Sequence, residues 1–138
     1  MRSVLLVFFL AAAFVSWAQT SPGEENKHGR QQSKQELEKT AADLEEAVRQ
    51  RPEKVELRIR LGFTYTRLAK IDEARKSFET AVKLDPKKAI AHYMLGLIYE
   101  KKGLKDEAVS AWKACLENAD EPRLRETALK HLHHLRTN

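Results

Sequence analysis

Cysteine, glycine and proline are all scarce in this chain of 138 residues, and each scarcity excludes a class of protein. A single cysteine cannot pair within its own chain, which excludes a disulfide scaffold and the cysteine-rich zinc fingers. Five glycines and four prolines are too few for collagen-like or Pro/Gly-rich chains. The formal charge of +5 is spread among 20 acidic residues, so the composition favours no nucleic-acid partner. The apolar share of 42% is close to what one modest packed domain requires.

The first residues follow the three-part pattern of a secretory signal peptide. Arg2 supplies a positive charge, residues 4–15 contain no polar side chain, and small residues precede a cleavage site after Ala18. The apolar run is shorter than the roughly 20 residues that a permanent anchor needs, so an uncleaved anchor is the weaker alternative. We predict a cleaved signal over residues 1–18, a secreted or periplasmic protein, and no membrane attachment afterwards. Residues 19–33 contain no Val, Ile, Leu or Phe, and we expect a disordered polar leader there.

A period of 34 residues organises the rest of the chain, and it predicts stacked pairs of helices. The positions related by this shift are Leu61 and Leu95, Gly62 and Gly96, Tyr65 and Tyr99, Asp72 and Asp106, Ala74 and Ala108, Phe78 and Trp112, and Ala81 and Cys115. Apolar residues within each unit recur at helical rather than alternating spacing, as Leu57, Leu61 and Leu68 do. Pro86 and Pro122 fall at the breaks between units, because proline cannot continue a helix from within.

Two glycines inside predicted helices need a packing explanation. Gly62 and Gly96 each cost up to ~1 kcal/mol relative to alanine at such positions. We interpret them as places where a neighbouring helix crosses too closely for a β-carbon, with Ala74 and Ala108 marking the approach from the other side.

The pattern resembles that of the tetratricopeptide repeat family. The matching residues are Leu61, Gly62, Tyr65, Ala74, Phe78, Ala81 and Pro86, followed by Leu95, Gly96, Tyr99, Ala108, Trp112 and Cys115. Arg58 and His92 depart from it, since the family usually has a tryptophan early in the first helix. The resemblance implies an all-α superhelix, or solenoid, of about six helices. Its expected parts are a half-repeat helix over 34–52, full repeats over 55–88 and 89–122, and a capping helix over 123–138.

Apolar stripes in both flanking segments support the two outer helices. The residues expected to face inward are Leu37, Ala41, Leu44 and Val48 in the first, and Leu124, Ala128, Leu132 and Leu135 in the last. The other side of the last segment is polar, as the cap of a soluble repeat stack must be.

No residue pattern indicates catalysis, and we predict no enzyme, no cofactor and no metal. Cys115 occupies a small-residue position of the repeat and is interpreted as core. His131 and His134 could share a metal on one helix face, but they lack a carboxylate or cysteine partner, so a solvated helix end is the preferred interpretation. The acidic pairs that begin at Asp72 and Asp106 are expected at helix starts, where they complement the helix dipole.

The resemblance implies that the first helix of each unit lines a concave surface. The residues predicted to bind a partner there are Ile59, Phe63, Arg67, Ile90, Tyr93, Leu97 and Lys101, with Thr66, Glu100, Thr127, His131 and His134 as further facing positions. Family members that grip a C-terminal carboxylate use Lys, Asn and Arg where this chain has Ile59, Phe63 and Tyr93, so that clamp is absent. We predict a groove for a protein or peptide with hydrophobic anchors, oriented by Arg67 and Lys101. Two alternatives stay open: these side chains are packed or covered, or the chain assembles with itself as a homo-oligomer.

Overall fold

The computed structural model describes residues 22–137, with side chains from residue 34 onward. The signal peptide predicted over residues 1–18 lies outside the described residues. The helices of the described part are α1 (Pro22–Gln50), α2 (Val55–Arg67), α3 (Ile71–Leu84), α4 (Ala89–Lys101), α5 (Lys105–Asn118) and α6 (Pro122–Thr137). This part contains no strand, so the predicted all-α solenoid of six helices is confirmed. None of these helices is long and apolar enough to cross a membrane.

The helices form a linear stack in which each packs chiefly against its neighbours in sequence. Only three or four residues connect successive helices, and such short connections produce antiparallel neighbours. Helices α2 and α3 form the first pair and α4 and α5 the second, while α1 covers α2 and α6 covers α5. The first helices of the two pairs therefore run in the same direction.

Helix α1 corrects the predicted leader, because its backbone is already helical at Pro22. The prediction of disorder over residues 19–33 depended on the absence of apolar side chains, which governs packing but not helix propagation. Once the packed part of α1 forms, each further residue adds one backbone hydrogen bond at little cost, and proline is well suited to the first helical position. The packed part is as expected, since Ala41, Leu44 and Val48 are buried against α2.

Phe78 and Trp112 explain the two helical glycines, and the explanation differs from the predicted one. Both rings are fully buried. A β-carbon added at Gly62 would lie 2.7 Å from Cζ of Phe78, and one at Gly96 would lie 2.5 Å from Cε2 of Trp112. The three nearest atoms at each glycine belong to the ring rather than to Ala74 or Ala108. The small residue accommodates an aromatic ring from the second helix of its own pair, so glycine and ring form one packing unit in each repeat.

Cys115 is fully buried beside Trp112, as the sequence predicted. Burial raises the pKa of its thiol, which keeps the sulfur protonated. The acidic residues after Ile71 and Lys105 lie in the first turns of α3 and α5, also as predicted.

The turns inside the two pairs are equivalent, but they carry different residues at the left-handed position. Ala69 has a φ of +58° and Gly103 a φ of +72°. In both turns the next residue donates a backbone hydrogen bond to a tyrosine carbonyl, from Lys70 to Tyr65 and from Leu104 to Tyr99. Alanine is strained in this conformation, whereas glycine is not.

Ala69→Gly is therefore expected to raise the free energy of unfolding by roughly 0.5–1 kcal/mol. Gly103→Ala is the matched control and should lower it by a similar amount, since a β-carbon at residue 103 would meet no atom within 4 Å and only the backbone strain changes. Urea denaturation of both variants measures the two values. Shifts of the same sign would contradict the interpretation.

Each pair of helices is also joined to the helix before it by a half-buried tyrosine. Tyr65 donates a hydrogen bond from its hydroxyl to Glu45 at 2.5 Å, and Tyr99 donates one to Glu79 at 2.9 Å. Burial, and then the bond to glutamate, raise the pKa of both hydroxyls to about 12. The two repeat units are thus equivalent in their polar contacts as well as in their core packing.

These two tyrosines predict a loss of stability in alkaline solution. Their pKa of about 12 in the folded chain exceeds the ordinary value of 10.0, so their stabilising contribution is complete below pH 10 and is lost as the pH rises through 12. The double variant Tyr65→Phe/Tyr99→Phe should show a flatter fall in unfolding free energy over this range. Urea denaturation at several pH values compares the slopes, and equal slopes would mean that other groups govern the transition.

Candidate protein-binding groove

The seven residues predicted to bind a partner lie on α2 and α4, the first helices of the two pairs, and we call this set the candidate groove. Its members are Ile59, Phe63, Arg67, Ile90, Tyr93, Leu97 and Lys101. Residues four apart lie on one helix face, so Phe63 and Arg67 follow Ile59 at successive turns of α2. The same spacing aligns Leu97 and Lys101 on α4.

The structure divides this set into exposed and packed side chains. Phe63 and Ile90 are each 37% exposed, and Arg67 and Lys101 are also exposed. The remaining three, Ile59, Tyr93 and Leu97, are half-buried and pack against the hydrophobic core. Two large apolar side chains of the set are thus exposed, while its other apolar members pack against the core.

Aromatic contacts fix the floor of the groove. Phe63 meets Phe78 edge to face, with 5.4 Å between ring centroids and an angle of 83° between the ring planes. Tyr93 meets Trp112 in the same manner, at 5.4 Å and 84°. Such pairs add stabilisation beyond area burial and hold the rings in defined positions. The groove is thus preformed, since its exposed phenylalanine is supported by a fully buried one.

Glu100 of α4 is held by one side chain of α5 and one of α6. It accepts a hydrogen bond of 2.7 Å from Nε1 of Trp112, and Nδ1 of His131 lies 2.9 Å from the same oxygen. The imidazole of His131 also stacks on the indole, with 4.2 Å between centroids and 15° between planes. We call these three residues the cap cluster, because they join α4 and α5 to α6.

The cap cluster corrects the interpretation of the histidines. His131 is half-buried and structurally engaged, whereas the sequence analysis placed it at a solvated helix end. One residue in the sequence could have indicated this contact. Trp112 has a ring N–H that needs a hydrogen-bond acceptor when it is buried, whereas Phe78, its counterpart in the first repeat, has no such group. Within the described residues, no group of three His, Cys, Asp or Glu side chains could hold a metal ion.

The other predicted facing positions bond within their own helices. The hydroxyl of Thr66 donates to the carbonyl of Gly62 at 2.9 Å, and that of Thr127 donates to the carbonyl of Arg123 at 2.9 Å.

Two equivalent clefts lie on the opposite side of α2 and α4, where Arg58 and His92 replace the usual tryptophan. The first has a volume of about 420 Å³ and the second about 380 Å³. Arg58 leaves its Nε buried without a hydrogen-bond partner in the described structure, and His92 is 2.7 Å from the carbonyl of Pro86. Glu73 and Lys76 give the first cleft charges of both signs.

Comparison with known proteins identifies the repeats. A family profile described as TPR repeat matches residues 65–103, and a second, described as tetratricopeptide repeat, matches residues 89–121. Residues 65–121 carry tetratricopeptide repeats. Such repeats are in general non-catalytic modules, so this part of the chain is a protein-interaction or scaffold module. The second match begins at the first residue of the second predicted unit.

Solved structures agree with this fold. One of the matching structures, "MamA MSR-1 C2", superposes with a TM-score of 0.56 at 21% sequence identity. The match covers 73% of this chain and 66% of the length of the solved one. At that identity the likeness concerns the fold alone. Among curated protein sequences, no relative matches.

Proposed function

We propose that the chain is an exported, non-catalytic adaptor whose groove binds a segment of another protein. The observation that carries the proposal is the pair of apolar side chains, Phe63 and Ile90, that the inner faces of adjacent repeats leave exposed. A partner that packs across the first helices would bury both side chains. The export signal predicted over residues 1–18 places the encounter in the periplasm or outside the cell.

Binding in this groove is non-covalent, and its strength follows from the area buried. Each large apolar side chain that becomes fully buried contributes about 1.5–3 kcal/mol, before the cost of ordering the partner is subtracted. Anchors from the partner add a similar amount. The net affinity is expected in the micromolar range, on the order of 10⁻⁶ M, which suits a reversible adaptor.

The double variant Phe63→Ser/Ile90→Ser is expected to lose binding while retaining the fold, because both side chains are partly exposed. Selection from a random displayed peptide library against the native protein should enrich peptides with two or more large apolar residues. These peptides should bind the double variant at least tenfold more weakly in fluorescence anisotropy, with a melting temperature within a few degrees of the native value.

Leu84→Ser is the matched control, since Leu84 is 41% exposed on α3 and does not belong to the groove. It should leave peptide binding unchanged. Equal weakening by the control and by the double variant, or no enriched peptide at all, would overturn the proposal. Tyr93→Ala is a poor test because Tyr93 packs against Trp112 and its loss disturbs the core.

Self-assembly is the second candidate, and one exposed side chain favours it. Leu129 is 54% exposed on α6, the helix that ends the stack. Its neighbours Glu126 and Lys130 form an ion pair of 2.9 Å, which keeps most of that face polar. Sedimentation of the purified protein over a concentration series decides between the candidates, since a monomer at every concentration excludes the homo-oligomer.

A further inference from the structure

We propose that the segment bound in the groove is acidic as well as apolar, with one or more Asp or Glu residues directly beside its hydrophobic anchors. This inference rests on the proposed function of the groove. It follows from the distribution of unpaired charge at the C-terminal ends of α2 and α4, one helical turn beyond Phe63 and Leu97.

Two cations lie at the same end of the groove. Arg67 follows Phe63 by one helical turn, and Lys101 follows Leu97 by one turn. Both end their helices, and because α2 and α4 run in the same direction the two side chains share one rim. Both are exposed, and neither has an ion pair with another described residue.

Three nearby cations differ from these two, since carboxylates of the chain already pair with them. They are Lys88 with Glu56 at 3.1 Å, Lys102 with Asp72 at 2.7 Å and Arg75 with Glu79 at 2.6 Å. Arg67 and Lys101 are thus free to pair with a carboxylate of a partner.

The carboxylates of the inner faces are already engaged. Glu100 precedes Lys101 in sequence, which suggests a rim of mixed charge, but its carboxylate holds Trp112 and His131 in the cap cluster. Glu56 lies at the other end of α2 and binds Lys88. Two carboxylates at the starts of α3 and α5, Glu73 and Glu107, line the clefts on the opposite side. The unpaired side-chain charge at this rim is thus positive.

The helix ends reduce this charge without cancelling it. Each helix C-terminus carries roughly half a negative charge, so the ends of α2 and α4 offset about one of the two cations. The remaining positive charge is small and exposed to solvent. We therefore expect it to affect selectivity and the salt dependence of the association rate more than the affinity. Each cation should change peptide affinity by about two- to fivefold.

The test uses the same displayed library on the native protein and on Arg67→Glu/Lys101→Glu. The peptides enriched by the native protein should combine apolar residues with Asp or Glu, and those enriched by the variant should instead carry Lys or Arg. A native-selected peptide should bind about tenfold more tightly than its version with Asn and Gln in place of Asp and Glu at about 0.05 M NaCl, and the difference should shrink at about 0.5 M.

The control reverses two exposed cations of α3 outside the groove, Lys76→Glu/Lys83→Glu, and should leave the acidic preference unchanged. Arg67→Gln/Lys101→Gln removes the charges without introducing acids at helix ends, and should reduce the preference if the reversal variant fails to fold. Apolar peptides without acidic enrichment overturn the inference while the groove proposal stands. If no peptide is enriched, both are overturned.

Discussion

Gly96→Leu is expected to lower the free energy of unfolding by roughly 3 kcal/mol or more, at or above the upper end of what overpacked cores cost. The β-carbon alone would lie 2.5 Å from Cε2 of Trp112. The indole cannot yield easily, because it donates to Glu100 and lies beneath the ring of His131. A folded solenoid of this size has about 5–15 kcal/mol in total, so the loss is a large part of it.

Urea denaturation followed by circular dichroism measures this loss. Ser110→Leu, which adds the same side chain at an exposed position of α5, is the control and should change stability by less than about 0.5 kcal/mol. Trp112→Leu in the Gly96→Leu background should restore part of the stability, since it removes the ring that collides. If Gly96→Leu is as stable as the native protein, glycine and ring do not form the packing unit described above.

Trp112→Ala is expected to cost about 3–5 kcal/mol and to release α6 from the stack. The ring is fully buried and contacts three helices: Tyr93 and Glu100 on α4, its own helix α5, and His131 on α6. Its loss leaves a cavity and removes the surface on which the imidazole stacks. Amide hydrogen exchange should therefore show the greatest loss of protection in α6.

Trp112→Phe separates the volume of the ring from its N–H group. Phenylalanine fills most of the space, so this variant should cost only about 1–3 kcal/mol, while Glu100 keeps His131 as a partner. Phe78→Ala in the first repeat is the matched comparison, since Phe78 is equally buried but has no bond to a capping helix. It should leave exchange in α6 near the native level. Uniform loss of protection in both variants would contradict the role assigned to the cap cluster.

Much of the fold could be predicted because its determinants are local. The pair Gly62 and Phe78 recurs one period later as Gly96 and Trp112, and Pro86 and Pro122 mark the breaks between repeat units. The start of α1 could not be predicted in this way. It depends on the helix extending from a packed segment into a polar one, and the spacing of apolar residues does not predict how far a helix extends in this way.

The family resemblance implied which residues of the first helices face a partner, but it could not give their exposure. The exposure of Phe63, Ile90, Tyr93 and Leu97 depends on how the other helices pack against them. The partners of Glu100 could not be predicted from the sequence either, because they depend on tertiary packing and His131 lies 31 residues away along the chain. Two charged residues that are adjacent in sequence can therefore differ in the fold, because a tertiary contact pairs one of them and leaves the other unpaired.

The central claim is that partners bind the inner face, and cross-linking in the producing cell tests it most directly. A photoreactive amino acid replaces Phe63 in one strain and Lys76, on the outer side of α3, in another. We expect a discrete cross-linked protein from residue 63 and none from residue 76. The cross-linked product should disappear when the substitution Ile90→Ser is added. Cross-linking of the same protein from residue 76 alone would show that the outer face, not the groove, is the binding surface.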